Sequence, residues 1–198
     1  MDFDSAPATY ALILANLIVS FYAFFVDRGF INHFAFNVGA VVKGEQHYRV
    51  VTSSFLHVDF VHLLVNMFTL YFFGPTVEQI LGKLGFLVVY FGAIITSGVV
   101  SAIVNRRNMA YSSVGASDAV SGVVLSFCVF YPLAPIYLFM IPIGIPAILF
   151  GAVYIFISAR LMGNAGNRIA HEGHLGGAIA GVILTLLMKP EALTRLFG

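Results

Sequence analysis

Apolar runs as long as a membrane-crossing helix recur along this chain, and that recurrence limits its fold more than any motif does. A helix needs about 20 mostly apolar residues to cross a bilayer's hydrocarbon core. Ala6 to Val26 and Leu84 to Val104 reach that length with no charged residue inside. Further runs cover Phe55 to Phe73, Ser117 to Tyr131, Ile145 to Leu161 and Ile169 to Met188. With a mean hydropathy of +0.94 and only 10% charged residues in 198, the sequence predicts an all-α, polytopic membrane protein. Residues 1–198 read as one six-helix bundle, with no second domain, internal repeat or low-complexity segment. A net charge of +1 without a long Lys/Arg run excludes a nucleic-acid footprint. Cys128 is the single cysteine, so no intrachain disulfide is possible, and it reads as a small core residue.

The boundaries follow from helix breakers. Met1-Asp2-Phe3-Asp4 lacks the basic leader of a secretory signal peptide, so the first run is expected to stay attached. Asp27 to Ser54 is too polar for a span and too apolar for a free loop. Gly74-Pro75 is expected to close the second span, with Glu78 and Lys83 marking a polar turn. The fourth span, from Ser117 to Tyr131, is roughly 22 Å long against a core of about 30 Å, too short to start at the membrane surface. The fifth follows Pro142 and carries Pro146 in its first turn. In the sixth, Gly173, Gly177 and Gly181 recur every four residues and allow close approach of another backbone, for which Ala119, Ser121 and Gly122 of the fourth span offer a matching face.

Polar side chains are costly in such surroundings unless they pair, and they gather at helix starts: His57, His62 and Asn66; Ser117 after Gly115-Ala116; His171 and His174. A serine hydroxyl becomes a nucleophile when a base takes its proton, and His174 is the candidate base for Ser117. The oxyanion that forms needs donors in place, which His62, Asn66 and the Ser117 backbone N–H could supply. A lone serine in an apolar helix commonly bonds its own backbone, and a lone histidine is commonly a satisfied core residue. Their joint placement at helix starts on one membrane side points to catalysis.

Four segments carry a family likeness: Tyr48-Arg49-Val50-Val51-Thr52-Ser53-Ser54-Phe55-Leu56-His57, His62-Leu63-Leu64-Val65-Asn66-Met67, Gly115-Ala116-Ser117-Asp118-Ala119 and His174-Leu175-Gly176-Gly177. In this order they resemble the signature segments of the rhomboid intramembrane serine proteases. The resemblance implies a Ser117–His174 dyad without a third acid, an oxyanion site from His62, Asn66 and the Ser117 backbone, and no cofactor. Substrates would be transmembrane proteins cut near the membrane boundary, within the lipid bilayer; the oligomeric state stays open. Tyr48-Arg49 stands where the family often has Trp-Arg, in a first loop half sunk in the outer leaflet. His57, Arg49, Gly115, Asp118, His171, Gly177 and Gly181 are read as structural or cavity residues, and Glu78 resembles the family's turn after the second helix.

Two features depart from this pattern. Asp118 occupies a position that is commonly glycine in the family. Its carboxylate could favour the helix dipole by about 0.3 to 1 kcal/mol, oppose a neighbouring oxyanion, or favour the imidazolium of His174. Counting charged residues, one side of the membrane receives Lys83, Lys189 and Arg195, and the other Arg28, Lys43, Arg49, Arg106, Arg107, Arg160 and Arg168. The positive-inside rule would place the N-terminus outside, whereas the resemblance implies a cytoplasmic N-terminus in a plasma or inner membrane; the resemblance is followed, because several of those cations lie in a structured loop. Three other readings stay open. A non-catalytic rhomboid-like protein would bind transmembrane helices. A metalloprotease is suggested by His171-Glu172-Gly173-His174, whose histidines are nonetheless three apart where the zinc motif needs four. A small transporter would be expected to show an inverted repeat.

Overall fold

The computed structural model describes residues 3–137, 143–162 and 170–197. Met1, Asp2, Pro142, Arg168 and Ile169, which enter the expectations above, lie outside the described residues. The first apolar run forms α1 (Pro7–Phe25), opened by a proline where a missing N–H leaves no bond unmade. The ambiguous stretch after it folds into short pieces: α2 (Gly29–Phe34), β1 (Phe36–Asn37), α3 (Val38–Val42) and α4 (Arg49–Thr52), followed by a single 3-10 turn, Ser53–Phe55. Arg49 ties them together, donating from one guanidinium nitrogen to the carbonyls of Asn32 and Ala35, each at 3.0 Å, and from Nε to Gln46 Oε1 at 2.6 Å.

The second and third runs form one 45-residue element, α5 (Phe60–Val104). Here the structure corrects the expected boundaries. The helix starts at Phe60 rather than Phe55, with Asp59 accepting the His62 N–H as its cap. Gly74-Pro75 does not close it: Pro75 lies inside the helix, and Gly74 lies close against α1, where a Cβ would sit 2.6 Å from Thr9 Cγ2. The break comes at Gly82, whose φ of 73° and ψ of 164° suit only glycine and divide α5 into two arms. Glu78 is therefore not in a turn. It is buried, and its carboxylate accepts the Ala8 and Thr9 N–H groups at 2.9 and 2.7 Å and the Thr9 hydroxyl at 2.7 Å. Ala6 has no side chain to cap α1, so the cap comes from another helix.

Beyond α5, β2 (Ser112–Ser113) pairs antiparallel with β1 and holds the loop leading to α6 (Ser117–Phe130). A second short ribbon, β3 (Pro135–Tyr137) with β4 (Gly144–Pro146), precedes α7 (Ala147–Leu161), so Pro146 sits in the strand and N-caps α7 rather than lying inside its first turn. Then come α8 (His171–Met188) and α9 (Ala192–Phe197). Among the described residues, α1, α5 and α8 are long and apolar enough to cross a membrane, and α6 and α7 are shorter apolar helices. With the two arms of α5 counted apart, these are six apolar rods.

The glycines of α8 decide what it touches. A Cβ on Gly177 would collide with the Asp118 carbonyl, and one on Gly181 with the backbone of Gly122, so α6 and α8 meet backbone to backbone. Lower down, Ser126 Oγ and Thr185 Oγ1 hydrogen-bond across the same seam at 2.6 Å. Gly176 faces Ser97 and Val100 of α5 in the same way. Ser121 does not share this face; it turns to α7, where its hydroxyl meets Tyr154.

Candidate active site

Ser117 opens α6, so its N–H belongs to the first turn, whose donors have no carbonyl to bond within the helix. The chain reaches it through Gly115, at φ 140°. A Cβ there would be strained and would stand 2.6 Å from His62 Cε1, 3.0 Å from His62 Nε2 and 3.3 Å from Ser117 Oγ. Glycine at this position thus lets the His62 ring and the serine hydroxyl approach the same point.

Across the α6–α8 seam, Ser117 Oγ and His174 Nε2 stand 2.7 Å apart. The hydroxyl donates when that nitrogen is unprotonated and the proton is on Nδ1. His62, Asn66, Ser117 and His174 line one cavity of about 1080 Å³, together with Ser121, Tyr154 and Glu172. Asn66 is buried and gives one of its two amide N–H groups to the His62 carbonyl at 2.8 Å, which leaves the other for a guest. His62 Nδ1 is buried without a partner among the described residues, consistent with a ring whose proton is on Nε2, the side facing Gly115.

His57 is fully buried and lies behind Ser117 rather than beside it. Its Nε2 receives the Ala116 N–H over a long 3.5 Å, and Nδ1 lies 2.9 Å from Ser20 Oγ, whose hydroxyl donates to the Phe55 carbonyl at 3.1 Å. One neutral tautomer satisfies that whole chain of bonds, from the loop before Ser117 to α1. Burial first, then the nearby His62, lower its pKa from 6.5 to about 3 against the opposing pull of Asp59. Gly115 N–H also bonds the Ser53 carbonyl at 3.1 Å, so the turn is held from two sides.

Arg49 shapes the first loop and does not line the cavity. His171 begins α8 with its ring 6.2 Å from that of His174, and it does not line the cavity. Asp118 does not line the cavity; one of its oxygens is on the Ser97 hydroxyl and the other 3.9 Å from His174 Nε2. Sequence reasoning did not single out three side chains at this site. Tyr154 reaches Ser121 from α7, Ser97 holds Asp118, and the buried Glu172 takes the Asn105 amide at 2.8 Å on the cavity rim. A tyrosine in an otherwise apolar run is the one signal that could have found the first. In the sequence Glu172 stands out only as part of a zinc-like pattern.

Residues 44–191 match the Rhomboid domain family, and the chain belongs to that family, an all-α class of membrane proteins. Among its relatives, RHOMBOID-like protein 12, mitochondrial, of Arabidopsis thaliana is 28% identical over 190 residues, covering 87% of this chain and 55% of that protein. Rhomboid protease GluP of Bacillus subtilis (strain 168) is 28% identical over 183 residues, covering 90% and 34%. Rhomboid protein 1, mitochondrial, of Saccharomyces cerevisiae is 30% identical over 143 residues, covering 68% and 40%. The chain thus spans about half of the first relative's length and about a third of the second's.

Proposed function

We propose that this chain is an intramembrane serine endopeptidase that cleaves transmembrane protein substrates near the membrane boundary. The observation that carries this reading is the 2.7 Å contact of Ser117 Oγ with His174 Nε2 at the wall of a polar cavity that also holds His62 and Asn66. As the Ser117 oxygen bonds to the scissile carbonyl carbon, its proton passes to His174 Nε2 and the carbonyl electron pair moves onto oxygen. The Ser117 N–H, the His62 ring and the free Asn66 N–H face that oxygen. Collapse breaks the C–N bond, His174 returns the proton to the leaving amine, and water entering the cavity releases the acyl group by the same steps in reverse.

Depth supports the same reading. With 14 residues, α6 is about 21 Å long against a hydrocarbon core of about 30 Å, so Ser117 lies below the headgroups when residues 1–198 act as one membrane domain of six crossing rods. An intact substrate helix holds its carbonyls in internal hydrogen bonds, so cleavage is expected near small, helix-breaking residues. The N-terminus is placed on the cytoplasmic or equivalent side, since Arg49, one of the seven cations weighing against it, is engaged by loop carbonyls.

The test is incubation of the purified chain in detergent with a panel of transmembrane peptides. Wild type is expected to cut those with a boundary glycine or proline, and Ser117→Ala and His174→Ala to lose turnover by about 10³-fold or more. Equal cleavage by all three rejects the mechanism; none by any of them favours a non-catalytic protein that binds transmembrane helices.

A further inference from the structure

Asp118 stands where a glycine is commonly found in the family, and the structure shows what surrounds it. Its Oδ2 accepts the hydroxyl of Ser97 on α5, and its Oδ1 lies 3.9 Å from His174 Nε2. The two side chains are only 21% and 17% exposed, so water screens the pair weakly. The space for this carboxylate comes from α8: a Cβ on Gly173 would lie 2.8 Å from both Asp118 Oδ1 and Ser97 Oγ. Ser97, Asp118 and Gly173, on three different helices, therefore form one fitted arrangement. The nitrogen it faces is the one that receives the serine proton.

Resting on the protease reading, we propose that Asp118 is a positioning residue that supplies the dyad with a third acid: its charge balances the imidazolium formed when Ser117 Oγ–H gives its proton to Nε2. The geometry differs from a linear triad, in which the acid binds the opposite ring nitrogen. Here the carboxylate sits 3.9 Å from the reacting nitrogen and outside the cavity lining, so its charge acts directly on the imidazolium. The other ionisable groups around the ring are His62 on α5 and His171 and Glu172 on α8, and the Asp118 charge also reaches Tyr154 of α7 and Tyr111, the latter lying against Glu172. Of the two carboxylates, Asp118 has an oxygen 3.9 Å from His174 Nε2, and the Glu172 charge also acts on the ring.

Rate against pH separates this role from packing. Asp118→Asn keeps an acceptor for Ser97 and loses the charge. Removing the charge is expected to displace the acid limb of kcat/KM by about one pH unit towards lower pH, because a neutral His174 becomes easier to maintain. It is also expected to lower kcat about tenfold with KM little changed, since the interaction grows only as charge develops. Asp118→Gly, the second variant in case Asp118→Asn misfolds, should move the limb in the same direction. Cleavage that depends on Ser117 but gives superimposed profiles for wild type and both variants overturns this proposal alone. Wild type without serine-dependent cleavage overturns the protease reading and this proposal with it.

Discussion

The two sides of α6 are built differently. Towards α8, glycine meets backbone: Gly177 and Gly181 lie against Asp118 and Gly122 with no side chain between them. Towards α7, side chains fill the gap, with Tyr154 reaching Ser121 and Gly151 lying against Leu125, and only Ala147, Gly151 and Ser158 of α7 are buried. The first contact sets the distance between Ser117 and His174, and the second forms a wall of the cavity. A seam of backbone on backbone has no rotamer to adjust, which is what a hydrogen bond between side chains on separate helices requires. A wall of side chains can repack around a guest.

Substitutions on the two sides should therefore differ, and the largest effect belongs to the seam. Gly177→Leu drives a side chain into the Asp118 carbonyl; a loss of about 3 kcal/mol or more is expected in detergent-phase unfolding, with cleavage abolished. A folded, active variant would mean that the seam is as adaptable as the wall. Gly115→Ala comes next. It strains φ and pushes on His62, and should lower kcat/KM roughly 10²-fold with about 1–3 kcal/mol of destabilisation.

His57 tests the brace behind the seam through pH. The folded chain keeps this ring neutral, with a pKa of about 3 against an ordinary 6.5. The native state binds fewer protons than the unfolded chain between those values. Its advantage is whole above the unfolded pKa of about 6.5 and is lost progressively as pH falls from there towards about 3. Melting temperature should decline over that window in wild type and more gently in His57→Gln; parallel curves would place the acid sensitivity elsewhere. The smallest effect is expected on the wall. Tyr154→Phe removes one hydroxyl and should change stability by about 0.5–1.5 kcal/mol, with peptide preference shifting more than kcat for a good substrate.

Much of the helix layout was legible because apolar runs of membrane length have few alternatives: α1, the second arm of α5 and α6 end within a residue or two of where the runs end. The polar clusters were legible for the same reason, since a histidine or serine stands out where polar groups are costly. Gly74-Pro75 was misread because breaker rules describe an isolated helix in water, whereas helices packed among others in a membrane tolerate proline. The turn lies instead at Gly82, where the backbone takes a positive φ.

The sequence by itself determined the solvent, the helices, the family and the polar residue types gathered at helix starts, because hydropathy and motif order are properties of the chain alone. The tertiary structure alone decided which partner each buried polar group finds. Glu78 became the cap of α1, His57 a brace running from α1 to the turn before Ser117, and Asp118 the neighbour of Ser97 and His174. Those outcomes depend on which way a side chain points when two helices approach within a glycine's breadth, a property of the packed bundle that no local stretch of residues contains.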